Sequence, residues 1–331
     1  MSVAAASPAW DSPAPASHAE PAVAPARRFV VVYNARSGYW IAQPEGSIET
    51  RLEALSQAHG VELVAHSLDC DDIAASLRDA LATNPDALFV SGGDGTINSV
   101  VAALEGRRVP LGIIPSGTMN LLARDLGMPL EFDAAIEALL SAEPHEIDLA
   151  RVNGKPYLCN SMIGLMPHIA RAREQARGQG HWRLSPRVLR KTLWLWRNYP
   201  RVWVELLDAG ATLRLRTRAI TISNNRLNEG SAPIPGRDHL DRGTLGVYVL
   251  HDRSRWALFR IGWKILMGTW HEDRDVVIYE TTSLVIDLGS KRQVTVSSDG
   301  EQMQLEAPLR YTIEPKAVIV LRPKPVPPPM P

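Results

Sequence analysis

Three short apolar runs in the first half of the chain each end in a turn rich in glycine and small polar residues. The runs lie at 29–33, 87–90 and 111–114, and the turns that follow them lie at 34–38, 91–98 and 115–120. Between the runs, apolar residues recur with helical spacing, which predicts alternating strands and helices. This alternation favours a parallel sheet covered on both faces. In such a sheet the turns that follow the strands meet at one edge, where ligands bind.

In the first half we predict a further strand at 61–66 and helices at 48–59, 73–82, 97–104, from about 119, and at 132–140.

The second half of the chain has a different pattern. In the second half, strand-like runs lie at 202–207, 212–222, 245–250, 276–279, 283–286, 293–296 and 318–321. The fold class predicted is therefore an α/β N-terminal domain with a parallel, Rossmann-like sheet, followed by a mostly antiparallel β-sandwich domain.

The ends of the chain differ in composition from the middle. Ala, Pro and Ser make up 19 of the first 28 residues, and such a segment cannot bury enough surface to offset its ordering entropy. We expect residues 1–28 to be disordered and 323–331 to form an extended Pro-rich tail. Between them we predict a nucleotide-binding α/β domain at 29–145 and a β-rich lipid-substrate domain at 146–322.

Composition excludes several classes of protein. The 36 Lys and Arg residues balance 36 Asp and Glu residues, so no net basic charge points to nucleic acid as a partner. Two cysteines are too few for a disulfide framework. No apolar run reaches the roughly 18 residues of a membrane span, and the first residues lack the features of a secretory signal. We expect a soluble, cytoplasmic protein.

The three turns carry the residue types that bind phosphate. Glycines let the backbone approach a phosphate closely, and a following helix presents its N–H groups to the anion. Asp94, which lies among glycines, suits a Mg²⁺ ion on a polyphosphate. A single turn of this kind is as often an ordinary connection between a strand and a helix as it is a ligand site. Three such turns after neighbouring strands favour a ligand site. The P-loop sequence and the dinucleotide fingerprint are both absent, which excludes those two standard motifs.

As an ordered set, these turns resemble the motifs of a known family. GGDGTIN at 92–98 and IPSGTMNLLAR at 114–124 resemble the nucleotide-binding motifs of the diacylglycerol kinase catalytic domain family. NARSG at 34–38 and SDGE at 298–301 are similar to two further motifs of that family. The family includes soluble bacterial lipid kinases and the sphingosine and ceramide kinases. The resemblance covers about residues 28–322 and implies ATP-dependent phosphorylation of a lipid hydroxyl, with ATP between the two domains.

The resemblance also implies roles for individual residues. Glu301 would be the catalytic base, with Asp299 beside it as an orienting partner or metal ligand. Asp94 would hold Mg²⁺ with ATP or orient the acceptor. The residues implied to bind ATP are Asn34, Ser37, Gly38, Gly92, Gly93, Asp94, Gly95, Thr96, Asn98, Gly117, Thr118 and Asn120. Asp299 and Gly300 would also make a good hairpin turn, and the two roles are compatible.

Three positions depart from the family pattern. Ser99 and Leu121 stand where Glu and Asp are common in the family. Arg242 stands where an Asp holds a structural magnesium in some bacterial members. A guanidinium would face that cation, which argues against this metal site. Our hypothesis is that Arg242 replaces the ion by pairing with a carboxylate.

Two helical segments suggest how such a protein would meet a lipid. The segment at 186–199 is amphipathic and basic, and the segment at 254–270 carries a column that includes Trp256 and Trp263. Arg253, Arg260 and Lys264 form a narrow stripe beside this column. Basic helices bearing Trp bind membrane surfaces, although amphipathic helices often only cover a sheet. We therefore expect a peripheral membrane partner.

Two other functions remain open. NAD kinase has a GGDGT loop of its own, and a nucleotide- or lipid-binding regulator without catalysis would explain Ser99, Leu121 and Arg242. The second glycine turn, the late SDGE sequence and the Trp-rich helices argue against NAD as the acceptor. Intact Asp94 and Glu301 argue against the regulator. The lipid acceptor and the oligomeric state do not follow from the sequence.

Overall fold

Two hydrophobic cores share one continuous sheet. The structure, a computed structural model, describes residues 27–69, 71–104, 106–165, 167, 202–208, 210–228, 236–251, 260, 264, 269, 273, 275–289 and 291–324.

The N-terminal half alternates strands with helices. The strands are β1 (Arg28–Tyr33), β2 (Glu62–Ser67), β3 (Ala87–Gly92) and β4 (Leu111–Pro115). The helices are α1 (Gly38–Ile41), α2 (Ser47–His59), α3 (Ile73–Ala82), α4 (Asp94–Ala103), α5 (Leu121–Asp125) and α6 (Phe132–Leu140). The strands pair in parallel in the order β2-β1-β3-β4. The predicted α/β fold class is therefore confirmed for this half.

The C-terminal half is built from antiparallel strands. They are β5 (Glu143–Val152), β6 (Lys155–Tyr157), β7 (Asn160–Gly164), β8 (Val202–Asp208), β9 (Ala211–Asn224), β10 (Leu245–His251), β11 (Val276–Thr281), β12 (Ser283–Asp287), β13 (Gln293–Ser298), β14 (Glu301–Glu306) and β15 (Leu309–Arg322). β9 pairs antiparallel with β7, β8 and β10, and β13 pairs antiparallel with β7 and β14. The mostly antiparallel β domain is also confirmed.

The last strand, β15, belongs to both cores. Leu309 and Tyr311 lie in the core of the β domain, whereas Val318 and Val320 lie in the core of the α/β domain. Val320 pairs in parallel with Leu111 of β4, while β15 runs antiparallel to β5 over nearly its whole length. The chain thus crosses between the domains at β5 and returns through β15, which holds the two domains in one arrangement.

The core of the α/β domain explains why the central strands are continuous and apolar. β3 is buried along its full length, and helices cover both faces of the sheet. The rings of Phe29 on β1 and Phe89 on β3 stack with centroids 4.8 Å apart. This rigid centre fixes the positions of the turns that follow the strands.

Two of the differences from the sequence prediction bear on the site. Helix α4 begins at Asp94 rather than at 97, because Gly93 in extended conformation already serves as its N-cap. The first turn of α4 therefore lies inside the glycine-rich motif. Strand β5 runs through the predicted domain division at 145–146, because its residues continue from one core to the other.

The predicted helices at 186–199 and 254–270 lie outside the described residues, except for Arg260, Lys264 and Thr269. Arg260 forms a bidentate pair with Asp273 and also contacts Asp275, and Lys264 Nζ lies 3.3 Å from Asp273. These two cations of the predicted basic stripe are thus already paired with carboxylates. In the described part of the chain, no helix has both the length and the apolar character needed to cross a bilayer.

Candidate active site at the sheet edge

The three glycine-rich turns lie side by side. β1, β3 and β4 are neighbours and parallel, so their carboxyl ends share one edge of the sheet. The chain leaves β1 towards β2 on one side and then returns to β3 on the other. This reversal opens a crevice between the turns after β1 and β3, which is where ligands bind in sheets of this type.

A row of hydrogen bonds connects the three turns. The indole Nε1–H of Trp40, which follows β1, donates to Ser91 Oγ at 3.2 Å. Ser91 Oγ in turn donates to Ser116 Oγ at 3.3 Å, and the backbone N–H of Ser116 donates to the carbonyl of Gly92 at 3.2 Å. These small polar side chains hold the edge in one geometry.

The turns after β3 and β4 touch through their backbones. A β-carbon placed on Gly117 would lie 2.4 Å from the Cα of Gly93, so the second loop has no room for a side chain there, and a β-carbon on Gly93 would lie 3.2 Å from the Cα of Gly117. Asn120 holds the second turn from within: its Oδ1 accepts from Gly117 N–H at 2.9 Å, and its Nδ2–H donates to Gly117 O at 3.1 Å. Asn120 itself has a left-handed φ of 49°. It is placed to shape the cradle, whereas Gly117 and Thr118 lie exposed at the edge.

The turn after β1 is preorganised in the same way. Asn34 Oδ1 accepts from the N–H of Arg36 at 2.9 Å, which closes an Asx turn. Ser37 is the N-cap of α1 and accepts from Trp40 N–H. No atom lies within 4 Å of a β-carbon placed on Gly38, so this turn leaves open space above its backbone.

Asp94 is a half-buried carboxylate in the first turn of α4. Its Oδ1 accepts from the backbone N–H of Leu122 at 3.2 Å. Burial raises the pKa of Asp94, while the backbone N–H groups of Leu121 and Leu122 and the charge of Arg237 oppose that rise. Leu121 stands where the family commonly has Asp, but its backbone N–H still stabilises the ionised form of Asp94.

The residues present fit Mg²⁺ only as a companion of a polyphosphate. In the described ranges, no three His, Cys, Asp or Glu residues come together as a metal cluster. Mg²⁺ at phosphate sites commonly uses one or two carboxylates, with phosphate oxygens and water as its other ligands. Asp94 could supply one such carboxylate.

Glu301 reaches this edge from the β domain. A β-carbon on Gly95 would lie 2.8 Å from Oε1 of Glu301, so the carboxylate rests directly against the GGDGT turn. Partial burial raises the pKa of Glu301. The sequence motifs at 92–98 and 298–301 therefore meet across the domain boundary.

Asp299 is a structural anchor for the turn that carries Glu301. Asp299 and Gly300, with φ of 48° and 89°, form the predicted hairpin turn between β13 and β14. The buried Asp299 carboxylate accepts three backbone N–H groups at 2.6–2.9 Å, from Leu158, Cys159 and Asn160. Burial raises its pKa to about 6, although these hydrogen bonds favour the ionised form. Its position supports the orienting role rather than that of a metal ligand.

Two residues predicted to bind ATP are packed against other parts of the protein, which limits their access to a nucleotide. Thr96 packs against Gly92, where a β-carbon would lie 2.6 Å from Thr96 Cβ. Asn98, two residues further along α4, is buried. Their contact with ATP remains a prediction.

The loop at Arg242 is held without the ion pair that we predicted. Among the described residues the exposed Arg242 forms no ion pair, and its backbone N–H donates to Asn225 Oδ1 at 2.9 Å. The nearby buried carboxylate, Asp148, already accepts from Asn225 Nδ2 and from the N–H groups of Gly243 and Lys316. Asp148 therefore has no need of a guanidinium, which explains why the predicted pairing is not found.

Arg237 is a site residue that the sequence analysis missed. Its side chain is only 2% exposed and forms an ion pair with Asp125 at 2.7 Å. Its Nη1 donates to the carbonyls of Leu158 and Asn224 at 2.7 and 2.8 Å. A lone arginine in a Pro- and Gly-containing loop carries no motif, so no signal in a single sequence would have found it.

Comparison with known families agrees with this geometry. Residues 28–152 match the diacylglycerol kinase catalytic domain, and residues 190–322 match the YegS C-terminal NAD kinase beta sandwich-like domain. The chain therefore belongs to the diacylglycerol kinase catalytic domain family and is a kinase.

Relatives and solved structures extend the similarity to most of the chain. A putative lipid kinase of Staphylococcus epidermidis is 26% identical over 90% of this chain and 97% of its own length. A diacylglycerol kinase of Mycobacterium tuberculosis is 28% identical over 77% of this chain and 83% of its own. A probable YegS-like lipid kinase of Yersinia enterocolitica is 39% identical, but the alignment spans 27% of this chain and 31% of that relative. The crystal structure of a putative diacylglycerol kinase from Bacillus anthracis has the same fold, with a TM-score of 0.69, 20% identity and coverage of 92% and 99%.

The contact between the two turns predicts a specific cost for one added methyl group. Gly117→Ala should lower the free energy of unfolding by roughly 1–3 kcal/mol, because the β-carbon overlaps the backbone at Gly93. Gly38→Ala is the matched control, since its β-carbon would meet open space. Urea unfolding followed by circular dichroism measures both. A Gly117→Ala protein as stable as the wild type would show that the turns are not in contact.

Proposed function

We propose that this protein is an ATP- and Mg²⁺-dependent lipid kinase that phosphorylates a hydroxyl of a diacylglycerol-like or sphingoid lipid. The observation that carries the proposal is the contact of Glu301 with Gly95, which brings a carboxylate of the β domain to the glycine-rich edge of the α/β domain. The family assignment and the names of the relatives support the lipid as acceptor.

The proposed ATP site is formed mainly by backbone N–H groups. The turns after β1, β3 and β4 would surround the phosphates, with the N-terminus of the ten-residue helix α4 directed at them. Bound Mg-ATP would supply the phosphoryl group and the countercharge for it. Asp94 would hold the cation there. Phosphoryl transfer requires alignment and charge neutralisation more than covalent chemistry, which a rigid loop edge provides.

Glu301 is the proposed general base. Its carboxylate lies beside Gly95 and has a raised pKa, as suits a group that takes the proton of an acceptor hydroxyl. Asp299 would keep the hairpin in place through its three backbone hydrogen bonds. The proton would pass to a Glu301 oxygen as the acceptor oxygen becomes the nucleophile.

A cavity in the β domain supports an apolar acceptor. It has a volume of about 340 Å³ and lies among strands β7, β8, β9 and β13, with core side chains such as Ile163, Val204 and Ile220 in its wall beside polar ones such as Arg218, Lys291 and Gln293. At the opposite end of β7, the backbone N–H of Asn160 donates a hydrogen bond to the carboxylate of Asp299, which lies near the proposed base. The five residues of β7 span about 13 Å. We infer that the cavity holds part of an acyl chain while the hydroxyl lies at Glu301.

The hairpin β8–β9 is a proposed contact with the membrane surface. Six large apolar side chains are exposed in the described part of the chain, and Trp203, Leu207 and Leu213 of this hairpin are three of them. Arg216 and Arg214, which pairs with Glu205 at 3.1 Å, lie over the Trp203 ring, at 5.8 and 6.0 Å from its centroid. An exposed Trp flanked by arginines suits the boundary between water and an anionic bilayer. The wall of the cavity includes Val204 on the inner face of the same hairpin.

Replacing the proposed base tests the function. Glu301→Gln should lower kcat by about 10²–10⁴-fold, because the amide cannot accept the hydroxyl proton. KM for ATP should change little, since the side chain keeps its shape. Glu306→Gln, an exposed residue of the same strand, is the matched control. The assay measures ADP release from Mg-ATP with dispersed diacylglycerols and sphingoid bases, and with NAD.

The pH dependence provides a second readout of the same assay. Glu301 acts as a base only when ionised, so kcat should rise with pH through its pKa, which burial raises above the ordinary value. The residual rate of Glu301→Gln should lack this limb. Turnover of NAD alone would instead establish an NAD kinase, and ATP binding without any turnover would establish a regulator. An unchanged kcat in Glu301→Gln would contradict the proposed base.

Removing the apolar side chains of the hairpin tests the membrane contact. The double variant Trp203→Ser/Leu207→Ser should bind at least tenfold more weakly to vesicles of phosphatidylcholine with phosphatidylglycerol, since fully burying one large apolar side chain contributes about 1.5–3 kcal/mol. Leu130→Ser, 49% exposed in the wild type, is the control. Co-sedimentation measures the binding. Equal binding of the double variant and the wild type would exclude this hairpin as the docking element.

A further inference from the structure

Arg237 lies between the two parts of the proposed active site. Its guanidinium is almost fully buried, and so is its partner Asp125. Nε–H donates to Asp125 Oδ2 at 2.8 Å, and the backbone N–H of Arg237 donates to Oδ1 of the same carboxylate at 2.9 Å. The Asp125 carboxylate is thus held at both oxygens by one residue.

One side of this arrangement leads to Asp94. Asp125 is the last residue of α5, and the backbone N–H of Leu122 in the first turn of that helix donates to Asp94 Oδ1 at 3.2 Å. α5 has only five residues, and it is held by the burial of Leu122 and Ala123 in the α/β core together with the contacts at its ends. Arg237 holds the C-terminal end of α5 through Asp125. It thereby helps to position the backbone N–H of Leu122, which donates to Asp94.

The other side leads to Glu301. The same guanidinium donates to the carbonyl of Leu158 at 2.7 Å, and its Nη2 lies 3.4 Å from the Cys159 sulfur. The backbone N–H groups of Leu158 and Cys159 hold the Asp299 carboxylate. Asp299 in turn fixes the hairpin that places Glu301 against Gly95.

We propose that Arg237 is a positioning residue of the proposed kinase, which sets the distance between Asp94 on the α/β domain and Glu301 on the β domain. Its hydrogen bonds go to residues outside the glycine-rich turns, and its charge favours the ionised form of Asp94. It acts through α5 on one side and through residues 158–160 on the other. The inference rests on the proposed function, because it assigns a purpose to the spacing of these two carboxylates.

The planar shape of the arginine is part of the inference. The guanidinium donates in several fixed directions at once, to a carboxylate, two carbonyls and a sulfur. A lysine would retain the charge but concentrate it at one point, and so could not hold these partners in the same geometry. Arg237→Lys thus separates the geometric role of the residue from its charge.

Steady-state kinetics with the full-length protein test the proposal. Arg237→Lys should lower kcat by about 10²-fold, because small displacements of catalytic groups have effects of that size. KM for Mg-ATP should stay within about threefold, since the glycine-rich turns remain connected to each other through Ser91 and Ser116. The matched control is Arg151→Lys, which breaks a bidentate pair with Glu314 that lies outside this network. Rates are normalised to the folded fraction measured by circular dichroism.

Hydrogen exchange provides a readout that does not need turnover. In Arg237→Lys, the backbone amides of Leu122 and of residues 158–160 should exchange faster together, while those of β1 and β3 remain protected. Arg151→Lys should leave both sets unchanged. Faster exchange at one set alone, or at neither, would overturn the proposal, as would an unchanged kcat in the folded variant. If the wild type phosphorylates no lipid, the proposed function fails, and the exchange data still decide whether Arg237 connects the two elements.

Discussion

The buried carboxylate of Asp299 holds three backbone N–H groups, and the position of the proposed catalytic base depends on it. A carboxylate in such a place is costly to desolvate, and its hydrogen bonds recover that cost only when the geometry is retained. Asp299 also occupies the left-handed first position of a two-residue hairpin turn. The same residue therefore shapes the turn and attaches it to the start of β7. Glu301, two residues further on, is carried to the GGDGT turn as a consequence.

The boundary between the domains contains several buried charges. The buried Asp125, Asp148 and Asp299 and the half-buried Asp94 lie at or near it, and in the described part of the boundary the buried Arg237 pairs with Asp125. Backbone N–H groups satisfy most of the remaining acceptor capacity. Such a boundary adds less stability than an apolar one of equal size, because each ion must be desolvated. Its retention is consistent with a site whose chemistry requires carboxylates in fixed positions.

Much of the fold could be predicted because its elements are periodic. Helices α3 and α6 and the strands β1 and β3 followed directly from apolar spacing and glycine turns, and the three turns do converge at one edge. Strands β5–β7 could not be predicted, since their residues mix charged and small side chains and gain their partners only from distant strands. Helix α4 was placed too late because its first turn consists of motif residues with low helix propensity.

The site was predictable only in part. Asp94 and the glycines followed from local chemistry, whereas Glu301 came from resemblance alone, because 205 intervening residues separate it from Gly95. Asn120 was expected at ATP, yet its amide is used to close its own turn. Arg237 and Asp148 depend on tertiary contacts with segments far away in the chain, and no spacing rule in one sequence encodes these contacts.

The central claim is that the glycine-rich edge and Glu301 form one site. A crystal structure of the protein with Mg²⁺ and a non-hydrolysable ATP analogue tests it most directly. We expect the terminal phosphate over the turns that contain Gly93 and Gly117, with the metal at Asp94 and the Glu301 carboxylate facing the same space. A nucleotide bound elsewhere, or a Glu301 hairpin displaced from Gly95 in the complex, would contradict the account.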